Sequence, residues 1–198
     1  MTLYTPLSAA PYNDYPEVED TCFTETNGSR VIRLSVEVPA TVEEVWQTFT
    51  TSDGWKSFAV AFASVDMQIG GVIETSYNPQ AKLGDPDNIK NQIVAYVPGR
   101  MLAIRCVQAP RNFEHKEEFF ATATVIEMEP MEGKKARVRA YSVGFRPGKA
   151  YDDLYAKFRR GNAYTLHKLR LSFERRENDT SGSRAKYGAS GKEKTANQ

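Results

Sequence analysis

The sequence predicts an α+β fold in which a curved antiparallel sheet of about seven strands surrounds a long C-terminal helix. Three observations predict it. One strand pattern and two short helix patterns come first, six strand patterns follow in the middle of the chain, and a long helical period comes last. Because consecutive strands joined by short turns pair with their neighbours, this order favours an antiparallel meander with the helix packed against it.

The first strand and the first helix are predicted from residues 31–54. Apolar and polar side chains alternate over 31–38, which is the period of a half-buried strand, and Pro39 ends it. Thr41 stands three residues before Glu44, the spacing of a capping box at a helix start. Residues 51–54 break this helix and can begin a second, short one. The first helix presents one apolar stripe, formed by Val42, Val45, Trp46 and Phe49.

Six further strands are predicted before the last helix. Each run alternates apolar with polar residues or ends at Gly, Pro or a polar loop. Gly70-Gly71 permits a tight turn or a close approach of the backbone between the first two runs. The runs are residues 61–68, 72–77, 89–97, 101–107, 119–128 and 136–143.

The long helix is predicted after Pro147-Gly148, where the period of the apolar residues becomes helical. It continues for about 27 residues, or roughly 40 Å, and ends near Arg176. Gly161 lies in its middle, where glycine costs about 1 kcal/mol relative to alanine. It marks either a close approach to the helix backbone or a tolerated kink.

The two ends of the chain differ in composition from the middle. Residues 1–28 have no periodicity and read as an extended N-terminal arm without core-forming residues, so we expect most of them to be dispensable for folding. Residues 177–198 contain almost no large apolar side chain, which predicts a disordered tail. The folded domain is therefore assigned to residues 29–176.

Composition and charge argue against several classes of function. The 198 residues include 26 basic and 25 acidic side chains, a net charge of +1, which gives no electrostatic footprint for nucleic acid. The two cysteines and two histidines stand in no metal-ligand spacing, so we expect neither a metal nor another cofactor. We also expect no membrane span, and a cytoplasmic protein unless a signal peptide has been removed.

Short segments carry a resemblance to a known family. Residues 38–46 read VPATVEEVW, close to a VxAPxExVW pattern, with Thr41 at a position that often holds proline. The other segments are FTTSDGW at 49–55, IGG at 69–71, PGRML at 98–102 and the final amphipathic helix. Over about residues 30–176 the chain resembles the START-like helix-grip superfamily, also called SRPBCC, and within it the branch named for the activator of the ninety-kilodalton heat-shock chaperone ATPase.

The resemblance implies a helix-grip fold with a cavity between the concave sheet and the long helix. Members of the superfamily bind lipids, hormones or other hydrophobic metabolites, cyclise polyketides, or contact a chaperone. Fold alone does not choose among these functions.

The apolar faces of the predicted strands and helix then give the candidate ligand-binding residues. A wall that is mainly apolar, with a few hydroxyls and one amide, is the usual composition of a small-molecule pocket. The alternative is a filled core. On the sheet the candidates are Leu102, Ile104, Cys106, Thr122, Thr124, Ile126, Val138, Ala140 and Ser142, and on the helix Leu154, Tyr155, Phe158, Asn162 and Thr165.

Few titratable residues are candidates for chemistry. His115 and Glu114 lie in a polar stretch that is either a solvated loop or a lid with a proton-transfer group. His167 is expected on a solvent-contacting flank of the long helix. The alternative is that its side chain is a polar group pointing into the pocket. Glu74 alternates with apolar residues on a strand and reads as solvent-facing or as a pocket carboxylate, and Cys106 reads as a small buried hydrophobe.

Three functions follow as hypotheses. The first is binding of a hydrophobic small molecule (a lipid, polyketide or aromatic metabolite) by a monomer or weak dimer. The second is an acid–base enzyme of the cyclase or isomerase type, which requires facing titratable groups in the pocket. The third is a regulatory protein with a chaperone or other protein partner, favoured by a filled core and an exposed apolar patch. The residue pattern shows no inward-facing carboxylate pair and ranks binding first.

Overall fold

The computed structural model describes residues 4–6 and 14–189, with side chains described over residues 14–178. The strands are β1 (Tyr4–Pro6), β2 (Glu19–Asp20), β3 (Phe23–Glu25), β4 (Arg30–Val38), β5 (Phe62–Val65), β6 (Val72–Ser76), β7 (Ile89–Val97), β8 (Met101–Gln108), β9 (Ala123–Met131) and β10 (Lys135–Phe145). The helices are α1 (Val42–Thr50), α2 (Ser52–Phe58), α3 (Lys116–Phe120) and α4 (Lys149–Ala189).

All pairings in the sheet are antiparallel, in the order β1-β3-β4-β10-β9-β8-β7-β6-β5, and β2 also pairs with β4. The strands from β5 to β10 form the predicted meander, and β10 returns to pair with β4. The predicted α+β helix-grip fold, with an antiparallel sheet and a long C-terminal helix, is confirmed. The strand number exceeds seven because β1 to β3 extend the described sheet beyond β4.

Helix α1 begins as the sequence predicts. The backbone N–H of Thr41 donates to Glu44 Oε2 at 2.8 Å, and the backbone N–H of Glu44 donates to Thr41 Oγ1 at 3.3 Å, so both bonds of the capping box form. Val45 and Phe49 are almost fully buried. Trp46, predicted in the same stripe, is only half-buried at the margin of the core, where its ring lies 6.2 Å from that of Tyr96.

The turn between β5 and β6 explains the glycine pair. Gly70 has a φ of +82°, which glycine adopts without strain. At Gly71 an added Cβ would lie 2.2 Å from the carbonyl oxygen of Asp66, so no side chain fits there. Both parts of the prediction, a tight turn and a close backbone approach, are present at these two residues.

The strand predicted over residues 119–128 is wrong at its start. Residues Lys116–Phe120 form the short helix α3, and β9 begins only at Ala123. The backbone N–H of Ala121 donates back to Glu117 at 3.1 Å, which completes a helical turn. Gly144, with a φ of +97°, lets the Ala121 carbonyl approach β10 where no Cβ would fit. Tertiary packing therefore overrides the alternation around Phe119.

The N-terminal arm contributes more than the sequence suggests. Val18 and Cys22 are buried and belong to the main apolar core. Strand β2 pairs Glu19 with Ser35 of β4, and β3 extends the same edge. The expectation that the arm lacks core residues is therefore wrong for residues 14–28.

Helix α4 covers the concave face of the sheet. Leu154, Leu166 and Leu169 are 1%, 3% and 0% exposed, so one side of the helix closes the core over β4 and β10. The predicted end near Arg176 is too early, since helical backbone continues to Ala189. The disordered tail was predicted over residues 177–198, and its last part, residues 190–198, lies outside the described residues.

Candidate ligand-binding site

The strand register places the candidate residues in rows across the concave face. Ser142 of β10 pairs with Thr124 of β9, Thr124 with Ile104 of β8, and Ile104 with Ile93 of β7. Paired residues of antiparallel strands point to the same face of a sheet. These side chains therefore form one continuous strip across the concave face, and α4 contacts it at Ser142.

Burial divides the predicted ligand-binding residues into two groups. Those that stay half-buried under or beside α4 are Thr124, Phe158, Asn162 and Thr165. Those buried in the core are Leu102, Ile104, Cys106, Thr122, Ile126, Val138, Ala140, Ser142, Leu154 and Tyr155. Much of the predicted wall is therefore packed core, and the accessible part lies near Asn162 and Thr124.

A chain of hydrogen bonds joins α4 to the sheet at this accessible part. Asn162 Nδ2 donates to Ser142 Oγ at 3.0 Å, and Ser142 Oγ lies 3.2 Å from Thr124 Oγ1. Ser142 is 2% exposed, whereas Asn162 and Thr124 are half-buried. The structure thus brings together three of the predicted polar side chains.

An aromatic cluster lies one turn earlier along α4. The ring centroid of Phe158 is 4.7 Å from Phe119, 6.4 Å from Phe113 and 6.3 Å from Phe145. Phe145 is fully buried, while Phe113, Phe119 and Phe158 are only partly buried. We call the set of half-buried residues formed by Phe113, Phe119, Thr124, Phe158 and Asn162 the mouth.

Helix α3 contacts the start of α4 beside the mouth. His115 precedes α3 in the left-handed conformation, with a φ of +57°. Its Nε2 lies 3.6 Å from Asp153 Oδ2, and Lys149 holds the pKa of the Asp153 carboxyl below its ordinary value. Glu114 is exposed. Lys157 Nζ lies 4.3 Å above the Phe113 ring, a cation–π contact at the rim.

Tyr155 does not bring its hydroxyl to the Asn162–Ser142–Thr124 chain. Its ring packs edge-on against Phe145 at 5.4 Å, and the guanidinium of Arg30 lies 4.4 Å from its centroid. The hydroxyl is buried with no hydrogen-bond partner among the described residues, and burial raises its pKa. Since Phe145 contacts both Tyr155 and Phe158, it stands between Tyr155 and the mouth.

The side of α4 that meets the arm is held by buried charges. Arg159 Nε donates to Asp20 Oδ2 at 2.6 Å, and the backbone N–H of Cys22 donates to Asp20 Oδ1 at 3.1 Å. Burial raises the pKa of Asp20, but these hydrogen bonds and the Arg159 charge outweigh it, so the pKa lies below its ordinary value. We call the set formed by Asp20, Cys22, Arg30, Tyr155 and Arg159 the clasp.

Several other candidates satisfy their polar groups locally. Thr165 Oγ1 donates to the carbonyl of Gly161, and Thr122 Oγ1 to that of Phe119. The thiol of Cys106 donates to the Gln108 carbonyl, and burial raises its pKa to about 12, as expected for a small buried hydrophobe. His167 lies on the flank of α4 and bonds Glu17 of the arm.

Glu74 is neither solvent-facing nor a pocket carboxylate. It is 5% exposed on β6, and its Oε1 accepts from the backbone N–H of Gly84 at 2.6 Å and from Asn88 Nδ2 at 2.7 Å. Lys90 Nζ lies 3.6 Å from its other oxygen. The carboxylate therefore fixes the loop between β6 and β7, and both predicted roles for Glu74 are wrong.

Gly161 lies on the outer side of α4 and has open space beside it. A Cβ added there would meet no atom within 4 Å, so the predicted close approach to the helix backbone is wrong. The residue lines a groove of about 830 Å³ that also includes Tyr15 and Tyr164. This groove lies away from the mouth.

Two residues near the site were missed by the sequence analysis. Phe113 belongs to the mouth, and its signal was an aromatic side chain within an otherwise polar stretch. Asn91 alternates with Ile89 and Ile93 on β7 and pairs with Cys106, which places it on the concave face. A polar residue in phase with an apolar strand face was the available signal.

The helices bear on membrane insertion, and the family model bears on the family of this chain. None of the helices in the described part of the chain is long and apolar enough to cross a membrane. Residues 39–174 match the family model described as "Activator of Hsp90 ATPase homolog 1-like protein". A comparison with curated protein sequences finds no match.

Solved structures share the fold at low sequence identity. Aha1 from Colwellia psychrerythraea, solved as a dimer, is 19% identical with a TM-score of 0.57, and the match covers 73% of this chain and 96% of that one. Protein MLL2253 from Mesorhizobium loti is 16% identical with a TM-score of 0.58, covering 74% and 98%. CalU16 from Micromonospora echinospora is 17% identical with a TM-score of 0.54, covering 78% and 82%.

Proposed function

We propose that this chain, which belongs to the family of Activator of Hsp90 ATPase homolog 1-like proteins, binds a hydrophobic small molecule between the sheet and α4, entering at the mouth. The observation that carries the proposal is the hydrogen-bond chain from half-buried Asn162 through buried Ser142 to half-buried Thr124, next to half-buried aromatic rings. Polar groups that fix orientation within an apolar wall are typical of small-molecule sites.

The aromatic side of the mouth supports the proposal. Phe113, Phe119 and Phe158 leave part of their rings accessible although each packs on the core. Accessible apolar surface gains about 25 cal/mol per Å² when a ligand removes it from water. A flat apolar molecule placed against these rings is therefore stabilised by burial, and the amide of Asn162 is close enough along α4 to orient it.

A second candidate, acid–base catalysis at the mouth, rests on one observation. His115 lies 3.6 Å from Asp153 in a left-handed backbone conformation, which is uncommon for a residue other than glycine. A neutral imidazole here could accept a proton from a bound ligand. The third hypothesis, a protein partner, is supported by membership of a family described by its chaperone ATPase activator. For assembly we propose a monomer or weak dimer, as one similar structure is a dimer.

The test of binding is a fluorescence titration with N-phenyl-1-naphthylamine, a neutral apolar probe. Wild type is expected to bind it saturably, and Asn162→Leu to bind it about tenfold more weakly, because a hydrogen bond in a dry site is lost. Lys168→Leu, on the same helix away from the mouth, is the matched control and should bind as wild type does. Circular dichroism verifies that each variant is folded.

Two results would contradict the proposal. One is the absence of saturable binding by native wild type, and the other is equal affinity in wild type and Asn162→Leu. Either result would move the protein-partner hypothesis to first place.

A further inference from the structure

We propose that the groove on the outer side of α4 docks a short acidic segment of a partner protein, one that carries an aromatic side chain among its carboxylates. We call this groove, which includes Tyr15, Lys157, Arg160, Gly161 and Tyr164, the outer groove. It is a second surface, separate from the mouth, so the proposal does not depend on small-molecule binding. Its shape, its aromatic rings and its charge carry the proposal.

Gly161 forms an opening in the outer side of α4. Glycine is a poorer helix former than alanine. The packing of the chain does not require it here, because an added Cβ would meet no atom within 4 Å. A longer side chain at this position would instead project into the outer groove, whose volume is about 830 Å³. The opening therefore accommodates a side chain supplied by another molecule.

Two tyrosine rings stand beside this opening. Tyr15 stacks on His167 with 4.6 Å between ring centroids, and its ring lies 5.9 Å from that of Tyr164 at an angle of 45°. Tyr164 follows Gly161 by three residues, so the two are neighbours on the helix surface, and Tyr164 is 49% exposed. An aromatic side chain placed over Gly161 would therefore contact these rings, and tilted aromatic pairs of this kind are attractive.

The charges that line the outer groove are positive. Lys157 and Arg160 are both exposed and lie three residues apart on α4, so their Cβ atoms are about 5–6 Å from each other. Arg159 is the third cation of the lining and is paired with Asp20. No acidic side chain of the described residues lines the groove. Carboxylates on a ligand therefore meet complementary charge next to the opening at Gly161.

The openness of the groove favours a protein segment over a small molecule. Ala156, Lys157, Arg160 and Gly161 are all exposed. Sites for small molecules typically enclose most of the surface of their ligand, which an exposed helix face cannot do. A peptide that belongs to a folded partner covers such a face from outside.

Acidic residues bound the outer groove at both ends and limit the length of its occupant. Asp153 precedes the groove on α4, and Glu17 of the arm bonds His167 just beyond Tyr164. Residues 155–164 rise roughly 14 Å along the helix, which an extended peptide of about four or five residues spans. A longer nucleic acid strand would place phosphates against the acidic ends. The occupant is therefore a short acidic peptide segment.

The test is isothermal titration calorimetry of the full chain with three acetylated, amidated pentapeptides. EEWEE carries both charge and ring, QQWQQ lacks the charge, and EEAEE lacks the ring. Wild type is expected to bind EEWEE saturably and about tenfold more tightly than either of the other two peptides. Raising the NaCl concentration from about 50 mM to about 500 mM should weaken binding of EEWEE several-fold, because salt screens exposed charges.

Variants locate the peptide in the outer groove. Gly161→Leu fills the opening and should weaken binding of EEWEE at least about tenfold, while leucine suits a helix. Gly161→Ala should weaken it less, and it serves if Gly161→Leu does not fold. Arg160→Gln should weaken it about threefold. Arg175→Gln removes the same charge from an exposed position of α4 outside the groove and is the matched control, with binding as in wild type.

The outcomes separate this inference from the proposed function. Gly161 and Arg160 lie outside the mouth, so Gly161→Leu and Arg160→Gln should bind N-phenyl-1-naphthylamine as wild type does. Absence of saturable EEWEE binding, equal binding of EEWEE and QQWQQ, or equal binding of EEWEE by wild type and Gly161→Leu would overturn the proposal. Tighter binding of a short deoxythymidine oligonucleotide than of EEWEE, lost in Gly161→Leu, would overturn the peptide as the occupant.

Discussion

The two sides of α4 differ in the charge and burial of the side chains that contact them. On the clasp side, Asp20 is almost fully buried and pairs with Arg159, while Cys22 and Tyr155 close the space around it. On the mouth side, Phe158 and Asn162 stay half-buried, and Asn162 contacts the sheet through a neutral hydrogen bond to Ser142. Phe145 separates the two sides.

The difference shows which side holds the helix and which side is available to a ligand. A buried ion pair has a fixed geometry and is destabilised strongly when one partner is lost. Half-buried aromatic and amide groups keep surface that a ligand can cover. We therefore expect mutations in the clasp to change stability and mutations in the mouth to change binding.

Removal of the arm is expected to have the largest effect. Deleting residues 1–28 removes the buried side chains of Val18 and Cys22, each worth about 1.5–3 kcal/mol, together with the Asp20–Arg159 pair. Urea unfolding should show a loss of at least about 4 kcal/mol. Deletion of 190–198 is the control. A loss below about 1 kcal/mol would show that the clasp side does not hold α4.

Breaking the clasp at one residue should cost somewhat less. Asp20→Ala leaves Arg159 in a partly buried site without its partner, and we expect a loss of about 3 kcal/mol. The double variant Asp20→Val with Arg159→Leu should recover part of this loss, because no unpaired charge remains. Additive losses in thermal or urea unfolding would contradict the view that the pair acts as one unit.

The clasp also predicts the direction of an acid effect. The pKa of Asp20 is lower in the folded protein than its ordinary value of 3.8, because the hydrogen bonds from Cys22 and Arg159 outweigh burial. Its contribution is fully present above that ordinary value and is lost as the pH falls through the lower folded-state pKa. Asp20→Asn should therefore flatten the decline of the unfolding free energy below about pH 4. An unchanged slope would contradict this prediction.

A mutation in the mouth should have a smaller effect on stability. Phe158→Ala is expected to cost about 2 kcal/mol, below the range for a fully buried phenylalanine, because its ring is already partly accessible. Its effect on binding of N-phenyl-1-naphthylamine should be larger than that of any clasp variant that remains folded. A stability loss above about 4 kcal/mol would mean that Phe158 is a core residue with no role at an entrance.

The smallest expected effect has the opposite sign. Gly161→Ala should stabilise the protein by about 0.5–1 kcal/mol, because alanine is the better helix former and its Cβ meets no atom within 4 Å. Since Gly161 belongs to neither the clasp nor the mouth, ligand binding should not change. A destabilised variant in a thermal melt would indicate that the helix backbone is contacted at this position.

Local signals accounted for the elements whose residues interact with near neighbours. The capping box of Thr41 and Glu44, the turn at Gly70-Gly71 and the strand Ile89–Val97 were all readable, because spacing and alternation depend on adjacent residues. Asn162 and Ser142 were also both predicted on apolar faces that had to meet, and they contact each other.

Other features depend on contacts between distant segments. Helix α3 replaces the predicted start of a strand because Phe119 packs on Phe113 and Phe158 of α4. The arm has no periodicity of its own, yet its strands form because the edge of β4 offers them partners. Neither effect is visible within a window of sequence.

The sequence by itself determined the fold class, the order of the main elements and the apolar faces that meet under α4, since periodicity and capping are local properties of the chain. Only the tertiary structure decided which of those apolar positions are packed and which remain open. Tyr155 and Phe158 lie on neighbouring turns with similar character, but one is enclosed by the arm and the other borders the mouth. The burial of a side chain depends on which distant segment packs against it, and the fold as a whole determines that segment.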